Sequence, residues 1–223
     1  MGSETNKPFV IALDGPAASG KGTLARALAD IYDFEYLDTG ILYRGVAWLM
    51  LDNGLLPKDE ETAAATARGF SLDAIKDAPL RSREVGAAAS VVAANKNVRA
   101  ALLDFQRTFA VNPPNNSAGA ILDGRDIGTV VCPDATVKFF VSASLEQRAK
   151  RRWLELKEDR PEIQLADVLA DLKERDTRDA SRADAPMIAA DDAELIDTSD
   201  LAIDAVIAAA RCIIDDIFER SAD

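Results

Sequence analysis

Short apolar runs recur along the chain at intervals that predict its architecture. Residues 9–13, Phe9-Val10-Ile11-Ala12-Leu13, are unbroken and rich in β-branched and aromatic side chains. That pattern fits a strand covered on both faces in a parallel sheet. Similar runs follow at 34–37, 120–122, 136–141 and 194–196, weakest at 34–37 and 194–196. Between them, apolar positions return at helical spacing over 23–32, 40–52, 84–110, 144–158, 164–178 and 201–219; several show the i, i+3, i+4 stripe of a helix packed on one face. Ser144 and Gln147 read as a capping box, each side chain satisfying a free backbone donor at a helix start. Strands alternating with helices predict an α/β fold with a five-stranded parallel sheet flanked by helices and joined by right-handed crossovers. Residues 55–83 break the alternation with a polar stretch, prolines at Pro57 and Pro79 and no clear strand, and read as a small insertion. Residues 112–119 have loop composition, and residues 1–7 read as a disordered leader.

The first apolar run enters Asp14-Gly15-Pro16-Ala17-Ala18-Ser19-Gly20-Lys21-Gly22-Thr23 and then a helical pattern. Gly15, Gly20 and Lys21 satisfy G-x-x-x-x-G-K between a strand and a helix, the context a phosphate-binding loop requires. Glycines let successive N–H groups turn toward a polyphosphate, the helix start adds its positive dipole end, and the lysine reaches the terminal phosphates as a point charge. The general motif places Ser or Thr directly after the lysine, but here Gly22 stands there and the hydroxyl follows at Thr23.

Such a loop serves GTPases, motor and transporter ATPases and small-molecule kinases alike. A guanine reader Asn-Lys-x-Asp is missing, since Asn95-Lys96-Asn97-Val98 lacks the aspartate. The chain has no histidine, which excludes imidazole-based triads, histidine zinc sites and imidazole proton shuttles. Two cysteines without CxxC spacing exclude cysteine-rich zinc sites and point to a reducing, cytoplasmic setting. With 38 acidic against 26 basic residues the net charge is −12; that charge repels nucleic-acid polymers. No run approaches a membrane span or a signal-peptide core.

Against that acidic mean, the basic residues gather in short motifs. Asp38-Thr39-Gly40 closes the second run and leads to Tyr43-Arg44; Asp123-Gly124-Arg125-Asp126 follows the third, at the sheet edge where open α/β sheets bind ligands. Arg148, Lys150, Arg151 and Arg152 cluster further on, and Arg175, Arg178 and Arg182 stand at i, i+3 and i+7, as on one face of a helix. Guanidinium groups grip phosphate oxygens in a bidentate manner. Their convergence around a phosphate loop points to a kinase whose acceptor is itself phosphorylated. Solvated helix faces with ion pairs such as Arg175 with Asp179 are the alternative reading of any single arginine.

The motifs together resemble those of the bacterial cytidylate kinases, within the nucleoside monophosphate kinases. The resemblance rests on residues 15–23, Leu37-Asp38-Thr39-Gly40 with Tyr43-Arg44, 85–94 with Ser90, Val98-Arg99 with Leu102, the block from Asp123 to Ala135, and Glu174-Arg175-Asp176 with Arg178-Asp179 and Arg182. It implies a core over about 8–54, 84–150 and 166–223, a monophosphate-binding insert over about 55–83, shorter than in some relatives, and a lid over about 151–165. It also implies that ATP is held by Gly15, Pro16, Ala17, Ala18, Ser19, Gly20, Lys21, Gly22 and Thr23. CMP would be held by Thr39, Tyr43, Arg44, Ser90, Arg99, Arg125, Asp126, Arg175, Asp179 and Arg182. In this pattern Ser90, Arg99, Arg125 and Asp126 read the base and Asp179 the ribose. Lys21, Arg125, Arg148, Arg152, Arg175 and Arg182 form the catalytic set. Mg²⁺ is expected near Thr23, through water with Asp14 or Asp123. The expected reaction moves the ATP γ-phosphoryl group to CMP or dCMP in a monomeric enzyme. The rivals are another small anionic acceptor (UMP, shikimate, dephospho-coenzyme A) and a nucleotide-binding regulator without transfer activity.

Overall fold

The computed structural model describes residues 7–222; of the expected leader, residues 1–6 lie outside the described residues. Five strands form one parallel sheet: β1 (Phe9–Asp14), β2 (Glu35–Asp38), β3 (Gly119–Gly124), β4 (Val137–Ser142) and β5 (Glu194–Asp197), in the order β2-β3-β1-β4-β5. The apolar runs predicted these strands to within two residues. β1 and β3 pair along their full lengths, from Phe9 with Gly119 to Asp14 with Gly124. Their carboxyl ends therefore lie side by side, and the phosphate loop and the Asp123 motif leave the sheet together.

Helices α1 (Lys21–Tyr32) and α8 (Ile203–Ala222) cover one face, where Leu24, Leu28, Val206 and Ile214 bury against Ile11, Ile121 and Phe139. On the other face Val10, Ala12, Leu37, Ala120 and Leu122 pack with Ala110 and with Ile127 and Val131 of a single helical turn after β3. A helical layer of α2 (Gly40–Asp52), α3 (Glu60–Arg68), α4 (Arg83–Val92) and α5 (Lys96–Val111) has its own core around Leu42, Val46, Met50, Val92, Val98 and Leu102. Helices α6 (Leu145–Asp159) and α7 (Leu165–Ala180) pair through Ala149, Ile163, Val168 and Leu172. Among the described residues no helix is long and apolar enough to cross a membrane.

Three local expectations change. The helix expected over 84–110 is two helices, because Asn95 caps the second: its Oδ1 accepts from the N–H groups of Asn97 at 2.9 Å and Val98 at 3.4 Å. Its amide also donates to the Glu60 carbonyl at 2.8 Å, tying α3 to this break. The region 55–83, read as a small insertion with no clear strand and with no helix assigned to it, contains α3; its inward face is Ala63, Ala64 and Ala67, whose small side chains give little hydrophobic signal. The capping box at Ser144 is half made. Ser144 Oγ accepts from the Gln147 N–H at 3.3 Å, but the Ser144 N–H donates to Ser199 Oγ at 2.8 Å.

Candidate active site

The phosphate loop is built by backbone conformation. Gly15 has φ +144° and a β-carbon there would stand 2.0 Å from the Val141 carbonyl oxygen, so only glycine fits between β1 and β4. Ala18, at φ 60°, and Gly20, at φ 92°, are both left-handed and turn the chain into the start of α1. Lys21 opens that helix with its ammonium 3.5 Å from the Pro16 carbonyl oxygen. Ala17 to Thr23 border a cleft of about 320 Å³ at the carboxyl edge of the sheet; Gly15 and Pro16 do not border it.

On the far side of this cleft stand the arginines. Asp179, 1% exposed, accepts from Arg125 Nε at 3.0 Å, pairs with Arg182, and lies 3.7 Å from Arg175 Nε. Three guanidinium groups thus share one buried carboxylate, leaving excess positive charge for a ligand. Burial raises the Asp179 carboxyl, but these three cations hold it below its ordinary value; burial and Arg125 pull Arg175 down to about 9. Arg182 lies past the end of α7, at Ala180, so it reaches Asp179 from the following turn rather than from a helix face. Arg178 turns away, pairing with Glu174 at 2.5 Å.

Deeper in the cleft Arg99 pairs with Asp126, both buried, and Arg99 lies 5.9 Å above the Tyr43 ring. Burial raises Asp126 against the pull of Arg99 and Arg182. Ser90, 3% exposed, has a hydroxyl without a partner that borders the cleft. A buried orphan of this kind points to a polar ligand atom.

Between the two sides lie Asp38, which pairs with Arg44, and Asp123. Burial lifts Asp123 to about 6 against the pull of Lys21, and burial with Arg125 lowers Lys21 to about 7. Burial also raises Asp38, yet Arg44 and Lys21 hold it below its ordinary value. Thr39 is turned inward; its hydroxyl donates to the Asp123 carbonyl at 2.8 Å, fixing β2 to β3. Gly22 is explained here too: a β-carbon would stand 3.2 Å from Asp123 Oδ2 and 3.6 Å from the Tyr36 hydroxyl.

A family model described as cytidylate kinase matches residues 11–216. The chain belongs to the cytidylate kinase family. The cytidylate kinase of Paramagnetospirillum magneticum is 55% identical over 205 residues, 92% of this chain and 97% of that protein. That of Rhodospirillum rubrum is 52% identical over 206 residues, again covering 92% and 97%. A solved structure of a protein from Eubacterium ventriosum, 14% identical, aligns with a TM-score of 0.52 over 93% of this chain and 98% of that one. At that identity the likeness shows the fold alone.

Within this cytidylate kinase fold, two further expected site residues, besides Gly15 and Pro16, do not line the cleft. Arg148 was expected among the catalytic arginines, but it does not line the cleft. It donates to the Ala143 carbonyl at 2.9 Å, the Ala17 carbonyl at 3.3 Å and Asp176 at 2.7 Å. Asp14, expected near the metal, accepts from the Ile127 and Gly128 N–H groups at 2.7 and 2.8 Å, so its carboxylate organises the turn after β3. Burial raises it to about 6. Arg152 does border the cleft; it reaches from α6 to the Arg81 carbonyl at 3.1 Å. Arg26, Tyr36, Asp38 and Arg81 also line the cleft without having been singled out as site residues. Asp38 carried a signal, since it adjoins Thr39 in a motif; Arg81 stands in the featureless insert and carried none.

Proposed function

We propose that the chain transfers the γ-phosphoryl group of ATP to the α-phosphate of CMP or dCMP, as a soluble cytoplasmic enzyme. One observation carries this reading. A single cleft joins the phosphate loop and Lys21 to the arginines around Asp179, with Ser90, Arg99 and Asp126 beyond them. An α-phosphate oxygen of the monophosphate attacks the γ-phosphorus, and the bond to the bridging oxygen breaks with its electron pair leaving on ADP. The attacking oxygen is already ionised near neutral pH, so no strong general base is needed, in keeping with a chain that lacks histidine. Catalysis then rests on positioning and charge neutralisation. Lys21 neutralises the leaving side, and Arg44, Arg125, Arg175 and Arg182 bind and orient the acceptor phosphate. Cytosine presents one amine donor beside ring-nitrogen and carbonyl acceptors. Asp126 suits the amine; Arg99 and the free Ser90 hydroxyl suit the acceptors.

Mg²⁺ accompanies ATP in phosphoryl transfer and keeps several of its own waters. The donors present fit such an ion. Among the described residues there is no cluster of three or more acidic or cysteine ligands to strip it, but the Asp123 carboxylate is buried beside Gly22, and Thr23 stands at the cleft wall. Thr23 and, through water, Asp123 would hold it; the ion supplies charge neutralisation on the polyphosphate when bound.

A coupled ADP-release assay over CMP, dCMP, UMP and AMP tests the proposal. CMP and dCMP should turn over with kcat/KM at least about tenfold above UMP and AMP, because uracil lacks the amine and adenine lacks the carbonyl acceptor that the buried polar groups would pair. Absence of ADP release with every monophosphate would favour the inactive regulator instead.

A further inference from the structure

The phosphate loop is open on its inner side and gripped on its outer side. Thr198, directly after β5 and 4% exposed, donates its hydroxyl to the Ser19 carbonyl oxygen at 2.8 Å. The same hydroxyl accepts from Arg151 Nη1 at 2.9 Å. Arg151 also donates to the Thr198 carbonyl at 2.6 Å and to the Ser19 carbonyl at 3.4 Å. The Thr198 N–H is in turn registered on β4 through the Ser142 carbonyl at 2.9 Å. Neither Arg151 nor Thr198 borders the cleft, whereas Ser19 and Gly20 do.

In a trans peptide the carbonyl of one residue and the N–H of the next point in opposite directions. No peptide bond among the described residues is cis. Holding the Ser19 oxygen outward therefore aims the Gly20 N–H toward the cleft. Gly20 itself, at φ 92°, supplies flexibility rather than direction. Direction has to come from outside the loop.

We propose that Arg151 and Thr198 are positioning residues for the ATP polyphosphate, fixing the Ser19–Gly20 peptide so that its N–H faces a phosphate oxygen while neither side chain touches the nucleotide. The inference rests on the reading of the loop as the ATP site. It gives work to a basic residue at the root of the lid segment and to a threonine 179 positions from Ser19 in sequence.

Binding of ADP and of CMP to Thr198→Val, Arg151→Met and the double variant, by calorimetry on the full chain, tests it, together with steady-state kinetics. Each single variant should weaken ADP binding by about tenfold, the scale of one lost hydrogen bond to a constrained group. KM for ATP should rise in step while CMP affinity and kcat at saturating ATP hold. The double variant should fall well short of the product of the singles, because both residues act on one carbonyl. Thr198→Ser, which keeps the hydroxyl, should restore ADP affinity. Unchanged ADP affinity in both variants overturns the inference. So does parallel loss of ADP and CMP affinity, which marks a general structural role, and so does a fall in kcat with ADP affinity intact, which would put Arg151 on the transferring group. A wild-type chain that bound no ADP would overturn the ATP-site reading and this inference with it; normal wild-type binding with unaffected variants overturns the inference alone.

Discussion

On the proposed donor side of the cleft the candidate anion-binding groups come from one stretch, residues 14–23, and are mostly backbone N–H groups of a loop whose turns need Gly15, Ala18 and Gly20 and which is braced from outside at Ser19. On the acceptor side they are side chains from α2, α5, the β3 end and α7, assembled by ion pairs around Asp38, Asp126 and Asp179. The first kind of site is one contiguous sequence motif, braced at a single peptide from outside, and stands independently of its cation. The second exists only when distant elements meet, so its charges belong to both fold and function. Removing a charge should therefore have different consequences on the two sides.

The largest effect separates chemistry from folding. Lys21→Met should lower kcat/KM on the order of 10²–10³-fold, the scale for one transition-state contact, without loss of stability. Burial depresses the Lys21 pKa to about 7, so the folded state disfavours its charged form relative to the unfolded chain, most fully below pH 7. Deleting that charge relieves a penalty, and the unfolding midpoint should hold or rise. Near-normal turnover would remove Lys21 from its role, and a lowered midpoint would remove the contrast between the two sides.

Next in size comes the matching change opposite. Asp126→Ala leaves Arg99 buried without its partner, a situation that costs about 3 kcal/mol or more. For a chain of this length that corresponds to a fall of roughly 6–12 °C in Tm. Preference for cytosine should weaken in the same variant, because the carboxylate suited to its amine is gone. A variant that kept its Tm while losing selectivity would show that the acceptor side is as separable as the donor side.

A smaller effect follows from protons. Since burial holds the Lys21 pKa well below its ordinary value, to about 7, and a bound polyphosphate favours the charged ammonium, ATP binding should take up more protons at pH 8 than at pH 6, by linkage. ATP affinity should accordingly fall as pH rises above 7, whereas CMP binding takes up nothing from Lys21. Calorimetry in buffers of different ionisation enthalpy reads this directly. Equal proton uptake for both nucleotides would contradict the assignment of Lys21 to the donor side.

Legibility in the sequence follows the same division. All five strands and most helices were readable because parallel strands buried on both faces give continuous apolar runs, and the phosphate loop was readable because its groups are neighbours in sequence. Helix α3 was not, since alanines form its inward face. The acceptor motifs could be found, but residue type alone could not tell a guanidinium that faces a ligand from one that braces the backbone. Arg148 and Arg152 are one turn apart in the same basic cluster, yet the first is buried against the Ala17 and Ala143 carbonyl groups and the second reaches the cleft. Thr198 lies outside every motif, because a contact spanning the sheet leaves no local pattern.

The smallest prediction tests that distinction within one helix. Arg175 and Arg178 are three residues apart on α7, and sequence spacing groups them together. Arg175 borders the cleft and lies against Asp179, whereas Arg178 pairs with Glu174, whose side chain is 72% exposed. Exposed pairs at i, i+4 contribute about 0.3–0.5 kcal/mol. Arg178→Ala should then shift Tm by no more than about 2 °C and leave KM for CMP within about twofold, since the half-buried Arg178 lies outside the cleft and its charge is matched by the Glu174 carboxylate. Arg175→Ala, in parallel, should raise KM for CMP by at least about tenfold, the loss of a charge-assisted contact to phosphate. Equal losses in the two variants would mean that charge density along α7, rather than the side chains gathered at Asp179, holds the acceptor.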